Sequence, residues 1–254
     1  MAALLVWEKI KPYYWRSIVR VLGDTFFDPI ALAIALHDLG KLTKAYSKHR
    51  KDFRHELFGA YATYDVLRTA IGDSDVSYLV ATSVLLHHEP IAMKIVGEYG
   101  ERYLTISNLK RVIVSYDLSP SCDVEATIDK IINDLLIKNK YIDTRLRDAL
   151  KRFCIKWVKE VSGDEVYSAL KKIIAWATIM GDSNELLVRR AKVASLLHLL
   201  IVSDSIAANI VRQGRCGSSG RDEGTYITKR ALHGAELLND QVINEINKII
   251  DAGD

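Results

Sequence analysis

The sequence predicts a mainly α-helical protein, and three observations support this prediction. Only four of the 254 residues are proline, so few positions are forced to interrupt a helix. Long stretches place apolar residues at the three- and four-residue spacing of an amphipathic helix. The segment from Phe27 to Leu39 is almost wholly apolar instead, which is typical of a helix buried in a core.

The helical segments are separated by residues that disfavour helix. The first ends at Gly40, because glycine commonly follows a helix C-terminus. Another is closed by Glu89-Pro90, because proline disfavours helix in the residue before it. The further predicted helices are His55 to Leu67, Val76 to His88, Val124 to Ile137, Thr144 to Val161, Asp164 to Met180, Glu185 to Val211 and Lys229 to Ile250.

Two segments break the helical pattern. Tyr103 to Tyr116 is rich in β-branched residues and fits either one small β hairpin insertion or a short helix. Gln213 to Gly224 holds four glycines and two serines, which predicts a mobile surface loop. Since no repeat or boundary divides the chain, we expect a single domain over residues 1–254.

Composition excludes several classes of protein. A net charge of +3 is too small to indicate polyanion binding without local clusters. Three cysteines without CxxC spacing argue against a disulfide framework and favour a reducing compartment. Glu8 and Lys9 interrupt the apolar start before a signal peptide could form, and no apolar stretch reaches the roughly 18 residues of a spanning helix. We therefore expect a cytoplasmic protein with no membrane partner.

Histidines and aspartates next to apolar helices predict a metal site. His37 and Asp38 end the apolar segment, His55 opens a helix, and His87-His88 lies at a helix end, where two adjacent histidines can serve one site. An unpaired buried aspartate costs several kcal/mol, which a bound cation would compensate most simply. Imidazole and carboxylate together suit Mn, Fe, Co, Ni or Zn.

Asp204 adds a third buried acidic or imidazole position in a separate helix. It lies within the apolar run Ala194 to Ala208, where an unpaired carboxylate would again be costly. Three such positions in three apolar helices favour one convergent cluster over unrelated buried groups.

A basic segment lies between the His37-Asp38 pair and His55. A basic segment beside a metal site would attract a polyanion, and Tyr46 and Phe53 are placed to stack on bases. On charge alone, a solvated helix face is an equally good interpretation. The candidate nucleic-acid contacts are Lys44, Lys48, Arg50, Lys51 and Arg54.

The run HDLGK, His37 to Lys41, resembles the signature of HD-domain phosphohydrolases, and SDSIA around Asp204 resembles their late aspartate helix. The order of a His-Asp pair, a lone histidine, a His-His pair and a distant aspartate is similar to that of CRISPR-associated HD nucleases. These occur fused to a helicase or as a separate chain. The resemblance spans Phe27 to about Val96 and Leu196 to Val211, under half of the chain.

The resemblance implies an HD-domain helical bundle with a metal site at its centre. His37, Asp38 and Asp204 would hold one divalent ion, and Asp38 would bridge to a second. The ligands of that second ion would be His55, His87 and His88. The family usually has another ligand histidine upstream, and no histidine precedes His37 here, so both one and two ions fit.

The implied activity is hydrolysis of single-stranded DNA, and of RNA too, by an endonuclease of CRISPR interference. The catalytic residues would be Asp38 and Lys41, with Lys41 near the scissile phosphate, and the ion would be Mn, Mg, Co, Ni or Fe. No GxxxxGK[ST] phosphate loop occurs, so the helicase would be a separate partner beside an RNA-guided surveillance complex. Two alternatives stay open: a phosphohydrolase of nucleotides or cyclic dinucleotides, and a non-catalytic regulatory module that keeps a metal.

Overall fold

A computed structural model describes residues 2–49, 53–88, 106–133 and 140–215. Helices dominate these residues, which confirms the predicted mainly α class. Between α2 and α3, a 3₁₀ helix covers Leu39–Leu42. The α-helices are α1 Ala2–Leu22, α2 Pro29–Leu36, α3 Lys44–Lys48, α4 His55–Ile71, α5 Asp75–Leu85, α6 Ile106–Val114, α7 Val124–Lys130, α8 Thr144–Glu160, α9 Gly163–Thr178 and α10 Ser183–Arg215.

Helix α2 is buried on all sides and is shorter than the predicted segment. Asp28 is its N-cap, because one carboxylate oxygen accepts hydrogen bonds from the amides of Ile30 and Ala31, each at 3.0 Å. Trp7 of α1 donates to the other oxygen at 2.9 Å. The helix ends at Leu36, so the next two residues stand in the turn that leads into the 3₁₀ helix.

Helices α4 and α5 pack closely against each other, and α4 also packs against the 3₁₀ helix and α8. Gly72 ends α4 with a φ of 82°, a conformation that side chains other than glycine rarely adopt. Helix α5 ends at Leu85, three residues before the predicted end at His88. The two histidines therefore lie in the turn after α5, where adjacent side chains can face one site.

Helix α10 packs against α1, α2 and α5. Its segment Ser183–Ile210 is long and apolar enough to cross a membrane by length and composition, so the expectation that no stretch reaches this limit was wrong. Half of its most apolar window is buried inside the protein. Packing on three helices accounts for this apolar character, since a core helix of a soluble protein passes the same test.

Several predicted boundaries change. The described residues contain no strand beyond an isolated bridge between Thr43 and Pro120, and Ile106–Val114 is helical, so the hairpin interpretation was wrong there. Helix α7 ends at Lys130, and a π turn over residues 131–133 follows it. The first residues of the predicted loop continue α10 to Arg215. Residues 216–254, with the rest of that loop and the last predicted helix, lie outside the described residues, as do Glu89 and Pro90.

Candidate metal centre

Six residues predicted to bind metal come together at the meeting of α2, α4, α5 and α10. Nε2 of His37 lies 3.5 Å from Oδ2 of Asp38 and 3.6 Å from Oδ1 of Asp204. On the other side, Nε2 of His55 lies 3.2 Å from Oδ1 of Asp38. It also lies 3.1 Å from Nε2 of His88. The ring of His87 stands between these groups, with its centroid 4.9 Å from that of His37 and 4.0 Å from that of His88.

Two glycines allow the backbones around these residues to touch. A Cβ atom at Gly40 would overlap the carbonyl oxygen of His55, and one at Gly59 would overlap the carbonyl oxygen of His37. Helix α4 therefore lies directly on the turn that carries His37 and Asp38. Backbone packing, rather than side-chain length alone, sets the distances within the cluster.

Backbone carbonyls orient two of the imidazoles. Nδ1 of His37 lies 2.8 Å from the carbonyl oxygen of Ile34, and Nδ1 of His87 lies 2.6 Å from that of Val84. A carbonyl oxygen can only accept, so Nδ1 carries the proton in both rings. Nε2 of each neutral ring is then the atom with a free lone pair, and it faces the cluster.

Two donor atoms in the cluster lack hydrogen-bond partners among the described residues. Oδ1 of Asp38 and Nε2 of His87 are buried without a hydrogen bond, although Nε2 of His55 lies close to the former. A buried polar atom without a hydrogen bond typically lowers the stability of the folded protein by about 1–3 kcal/mol. A divalent ion would satisfy both atoms, and mixed imidazole and carboxylate donors suit transition metals.

The donor atoms form two overlapping groups. One consists of His37, Asp38 and His87, and the other of His55, His87 and His88, with donor atoms within 4.8 Å of one another in each. His87 belongs to both groups. Asp204 stands at the edge of the first group through its contact with His37.

The surroundings keep the carboxylates of Asp38 and Asp204 charged and the imidazoles of His87 and His88 neutral. Burial opposes the charge of Asp38, but His55, His37 and Lys41 together hold its pKa far below the usual range. Burial also opposes the charge of Asp204, yet contact with His37 lowers its pKa. Burial lowers the pKa of His87 to about 2, with further lowering by the charge of His37 and then of His88. Each of these protonation states is one in which the group can bind a cation.

His88 and His37 shift in opposite directions. Burial, followed by repulsion from His55, lowers the pKa of His88. Burial would also lower that of His37, but contact with Asp204 and the charge of Asp38 outweigh it, so the pKa of His37 is raised. In the absence of an ion, His37 is therefore the imidazole that takes up a proton first among these three.

Lys41 lies at the rim of the cluster. Its Nζ is 2.7 Å from Oδ2 of Asp38, and both side chains are 39% exposed. The predicted catalytic lysine is thus already held beside the central carboxylate by an ion pair.

The structure describes three of the five basic residues that were predicted to contact nucleic acid. Lys44 and Lys48 are exposed on α3, with Nζ of Lys44 4.0 Å from a carboxylate oxygen of Asp117. Arg54 is instead partly buried and ion-paired with the buried carboxylate of Glu56. Arg50 and Lys51 lie outside the described residues.

The two aromatic side chains of this segment have partners in the protein. Phe53 is buried, so the expectation that it stacks on bases was wrong. The ring of Tyr46 packs edge-on against that of His55, with centroids 5.4 Å apart.

Several known proteins resemble this chain in sequence or in structure. No family model matches the chain. It is 33% identical to the CRISPR-associated endonuclease Cas3-HD of Thermoproteus tenax, over 89% of this chain and 86% of that protein. The protein of the same name from Pyrococcus furiosus is 36% identical over 41% of this chain and 50% of its own length. The one from Methanocaldococcus jannaschii is 32% identical over 50% of this chain and 57% of its own length. A solved CRISPR-associated Cas3 HD domain protein of Methanocaldococcus jannaschii covers 78% of this chain and 90% of its own, at 25% identity and a TM-score of 0.47.

The helical bundle with a buried His/Asp cluster that could hold a metal ion agrees with the HD class of metal-dependent phosphohydrolases. With one relative aligned over most of both chains, the protein belongs to the CRISPR-associated endonuclease Cas3-HD family. It is a metal-dependent nuclease of a CRISPR system, and its relatives imply a divalent metal and a nucleic-acid substrate. The resemblance found in the sequence is confirmed.

Proposed function

We propose that this enzyme hydrolyses phosphodiester bonds of single-stranded DNA, and of RNA too, during CRISPR interference. One observation carries the proposal: two buried donor atoms, Oδ1 of Asp38 and Nε2 of His87, face the same cluster without a hydrogen bond among the described residues. The proposed metal ligands are His37, Asp38, His55, His87, His88 and Asp204. A divalent ion bound by this set supplies Lewis-acid activation of water and polarises a phosphoryl oxygen.

The remaining residues would act on the substrate. Lys41 stands beside Asp38 at the partly exposed rim, where its ammonium group would neutralise charge that develops on the phosphoryl oxygens. Lys44 and Lys48 on the following helix are exposed and would attract the phosphate backbone that leads into the site.

The proposed partners are a separate CRISPR helicase and the RNA-guided surveillance complex, in the cytoplasm. The sequence supports a separate helicase because it contains no phosphate-binding loop for ATP. The relatives' name supports a role in a CRISPR system. We also propose that residues 1–254 form a single nuclease domain.

Cleavage by the chelator-stripped protein tests the proposed function. Labelled single-stranded DNA, duplex DNA, RNA and a cyclic dinucleotide would each be incubated with Mn, Mg, Co, Ni, Fe or Zn added back separately. We expect metal-restored cleavage of single-stranded DNA and little cleavage of the duplex. Asp38→Ala should abolish it, whereas Asp65→Asn, which changes a buried carboxylate in another ion-pair cluster, should not.

The substrate series also separates the alternatives. Hydrolysis of the cyclic dinucleotide with intact DNA would replace the nuclease proposal with a nucleotide phosphohydrolase. Cleavage by Asp38→Ala at the wild-type rate would remove the proposed metal centre from the reaction.

A further inference from the structure

Glu56 is a buried carboxylate that the proposed chemistry does not use. It is the second residue of α4, directly after His55, and only 4% of its surface is exposed. Oε1 of Glu56 is ion-paired with the guanidinium of Arg54, which accounts for part of the cost of burying the charge. Its other oxygen, Oε2, lies 3.7 Å from Nδ1 of His55.

Three imidazoles of the cluster share one arrangement. In His37 and His87, Nδ1 faces the carbonyl oxygen of the residue three positions earlier, and Nε2 faces the other donors. His55 begins α4, so it has no carbonyl of a preceding helical turn to use in this way. Its Nε2 nevertheless faces Asp38 and His88, while Nδ1 faces Glu56.

We propose that Glu56 is a positioning residue: when a divalent metal ion binds Nε2 of His55, the ring proton lies on Nδ1 and the Glu56 carboxylate holds the ring in that orientation. The carboxylate lies on the side of the ring where backbone carbonyls accept at His37 and His87, but at 3.7 Å from Nδ1 it is a charge contact and not a hydrogen bond. Arg54 in turn holds Glu56 in place from its other oxygen. This inference rests on the proposed function, since it assumes that His55 is a metal ligand.

The arrangement has a consequence for Arg54. The side chain of Arg54 is 23% exposed, and its guanidinium is ion-paired with the carboxylate of Glu56, whose side chain is 5% exposed. Arg54 therefore belongs to the support of the metal centre rather than to a surface that binds nucleic acid. Groups that hydrogen-bond to a ligating histidine typically change metal affinity 10- to 100-fold when they are removed.

Two measurements on the full chain test the role of Glu56. Nitrogen-15 NMR of the wild-type protein reports which ring nitrogen of His55 carries the proton, and we expect Nε2, which faces Asp38, in the chelator-stripped protein and Nδ1 once Zn²⁺ is bound. Titration with Mn²⁺ and with Co²⁺, followed by calorimetry and the visible Co²⁺ spectrum, reports affinity without using activity. For Glu56→Gln we expect about 10- to 100-fold weaker binding of both ions.

Matched variants separate positioning from folding. Asp65→Asn removes a buried, arginine-paired carboxylate from the same helix, about 14 Å further along it, and should leave both measurements unchanged. Glu56→Asp keeps the charge but withdraws the carboxylate from His55, so we expect an intermediate loss of affinity.

Three outcomes would overturn the inference. The first is a Zn²⁺-bound wild-type protein in which Nδ1 of His55 carries no proton, a result that needs no variant. The second is a Glu56→Gln protein with wild-type metal affinity, and the third is an equal loss of affinity in Asp65→Asn. If His55→Ala binds Mn²⁺ and Co²⁺ as the wild type does, the proposed ligand set fails as well. If only the Glu56 variants bind normally, the ligand set stands and this inference alone fails.

Discussion

Gly59 of α4 lies against the carbonyl oxygen of His37 so closely that a Cβ atom would overlap it. This contact joins the helix that begins with His55 to the turn that carries Asp38. The distance between these two donors therefore depends on a residue that binds nothing itself.

Gly59→Ala should separate the two halves of the cluster. We expect a loss of about 1–3 kcal/mol in the free energy of unfolding of the chelator-stripped protein, because the added methyl group must displace backbone. We also expect weaker Mn²⁺ binding. Gly72→Ala, at the end of the same helix, has open space but a φ of 82°, so it should lose stability and keep its metal affinity. Equal metal affinity in both variants would contradict the role given to Gly59.

Stability of the chelator-stripped protein should fall as the pH drops from 6.5 towards 5. The pKa of His87 is lowered to about 2 by burial, so the unfolded chain takes up a proton in this range and the folded protein does not. The expected slope approaches about 1 kcal/mol per pH unit. Chemical denaturation at several pH values would measure it.

The lowered pKa of His88 adds to this fall in the same pH window, whereas His37, Asp38 and Asp204 act outside it. The raised pKa of His37 gives stability that is fully present below 6.5 and is lost as the pH rises through its folded value. The lowered pKa values of Asp38 and Asp204 give stability that is lost only as the pH falls below about 3.8, the ordinary value of an aspartate. His87→Asn should therefore flatten the slope between pH 6 and 5. An unchanged slope in this variant would show that another group is responsible.

Lys41→Met should separate metal binding from cleavage. The ammonium group of Lys41 donates a hydrogen bond to Oδ2 of Asp38. Removing the ammonium group frees this oxygen, so the affinity for Mn²⁺ should be no weaker than in the wild type. Loss of a positive group beside the scissile phosphate should lower the cleavage rate about 100-fold. Calorimetry and single-turnover cleavage of DNA would measure the two effects, with Lys44→Met as the matched lysine control. A fall in affinity with an unchanged rate at saturating metal would reverse this assignment.

The salt dependence of DNA binding should report on α3. If Lys44 and Lys48 contact phosphates of a single strand, the double alanine variant should reduce the slope of log K against log salt by about 0.7 per lost contact. Binding would be measured in chelator, which prevents cleavage. Lys159→Ala, an exposed lysine of α8, should leave the slope unchanged. An identical slope in the double variant would place the DNA elsewhere.

Asp65→Ala should destabilise the fold without affecting the metal centre. Its Oδ1 accepts from Arg68 at 3.1 Å and from Lys156 of α8 at 3.0 Å, and the residue is buried. Removal of one partner from a largely buried ion pair typically costs several kcal/mol, and we expect about 2–3 kcal/mol because Lys156 keeps Glu165. Denaturant titration would measure the loss. A change in Mn²⁺ affinity would show that the two clusters are coupled.

Burial and charge together made most of the centre predictable from the sequence. His37, Asp38 and Asp204 stood out because each is a polar residue within or at the end of an apolar helix. The helix ends were less predictable. Apolar periodicity continues through Leu39, but the backbone changes from α to 3₁₀ helix at the close contact of Gly40 with α4, which no local pattern contains.

Glu56 and Arg54 could not be assigned from sequence for a related reason. A carboxylate after a histidine at a helix start is typical of favourable interaction with the helix dipole. An arginine in a basic segment is typical of a surface residue. Only the fold reveals that both are turned towards the interior, where one faces Nδ1 of His55 and the other holds it there. The adjacent letters His-Glu at the start of a largely apolar helix were the available signal.

The position of Asp204 on α10 has a consequence for synthesis of the chain. Five residues of the cluster have been translated once the ribosome passes residue 88. The sixth, Asp204, whose carboxylate faces His37, is translated 116 residues after His88. Helix α10 must then dock on α1, α2 and α5 before that carboxylate reaches the others. A nascent or truncated chain that lacks α10 holds an incomplete cluster, so the centre cannot be fully assembled until α10 has been synthesised and has docked.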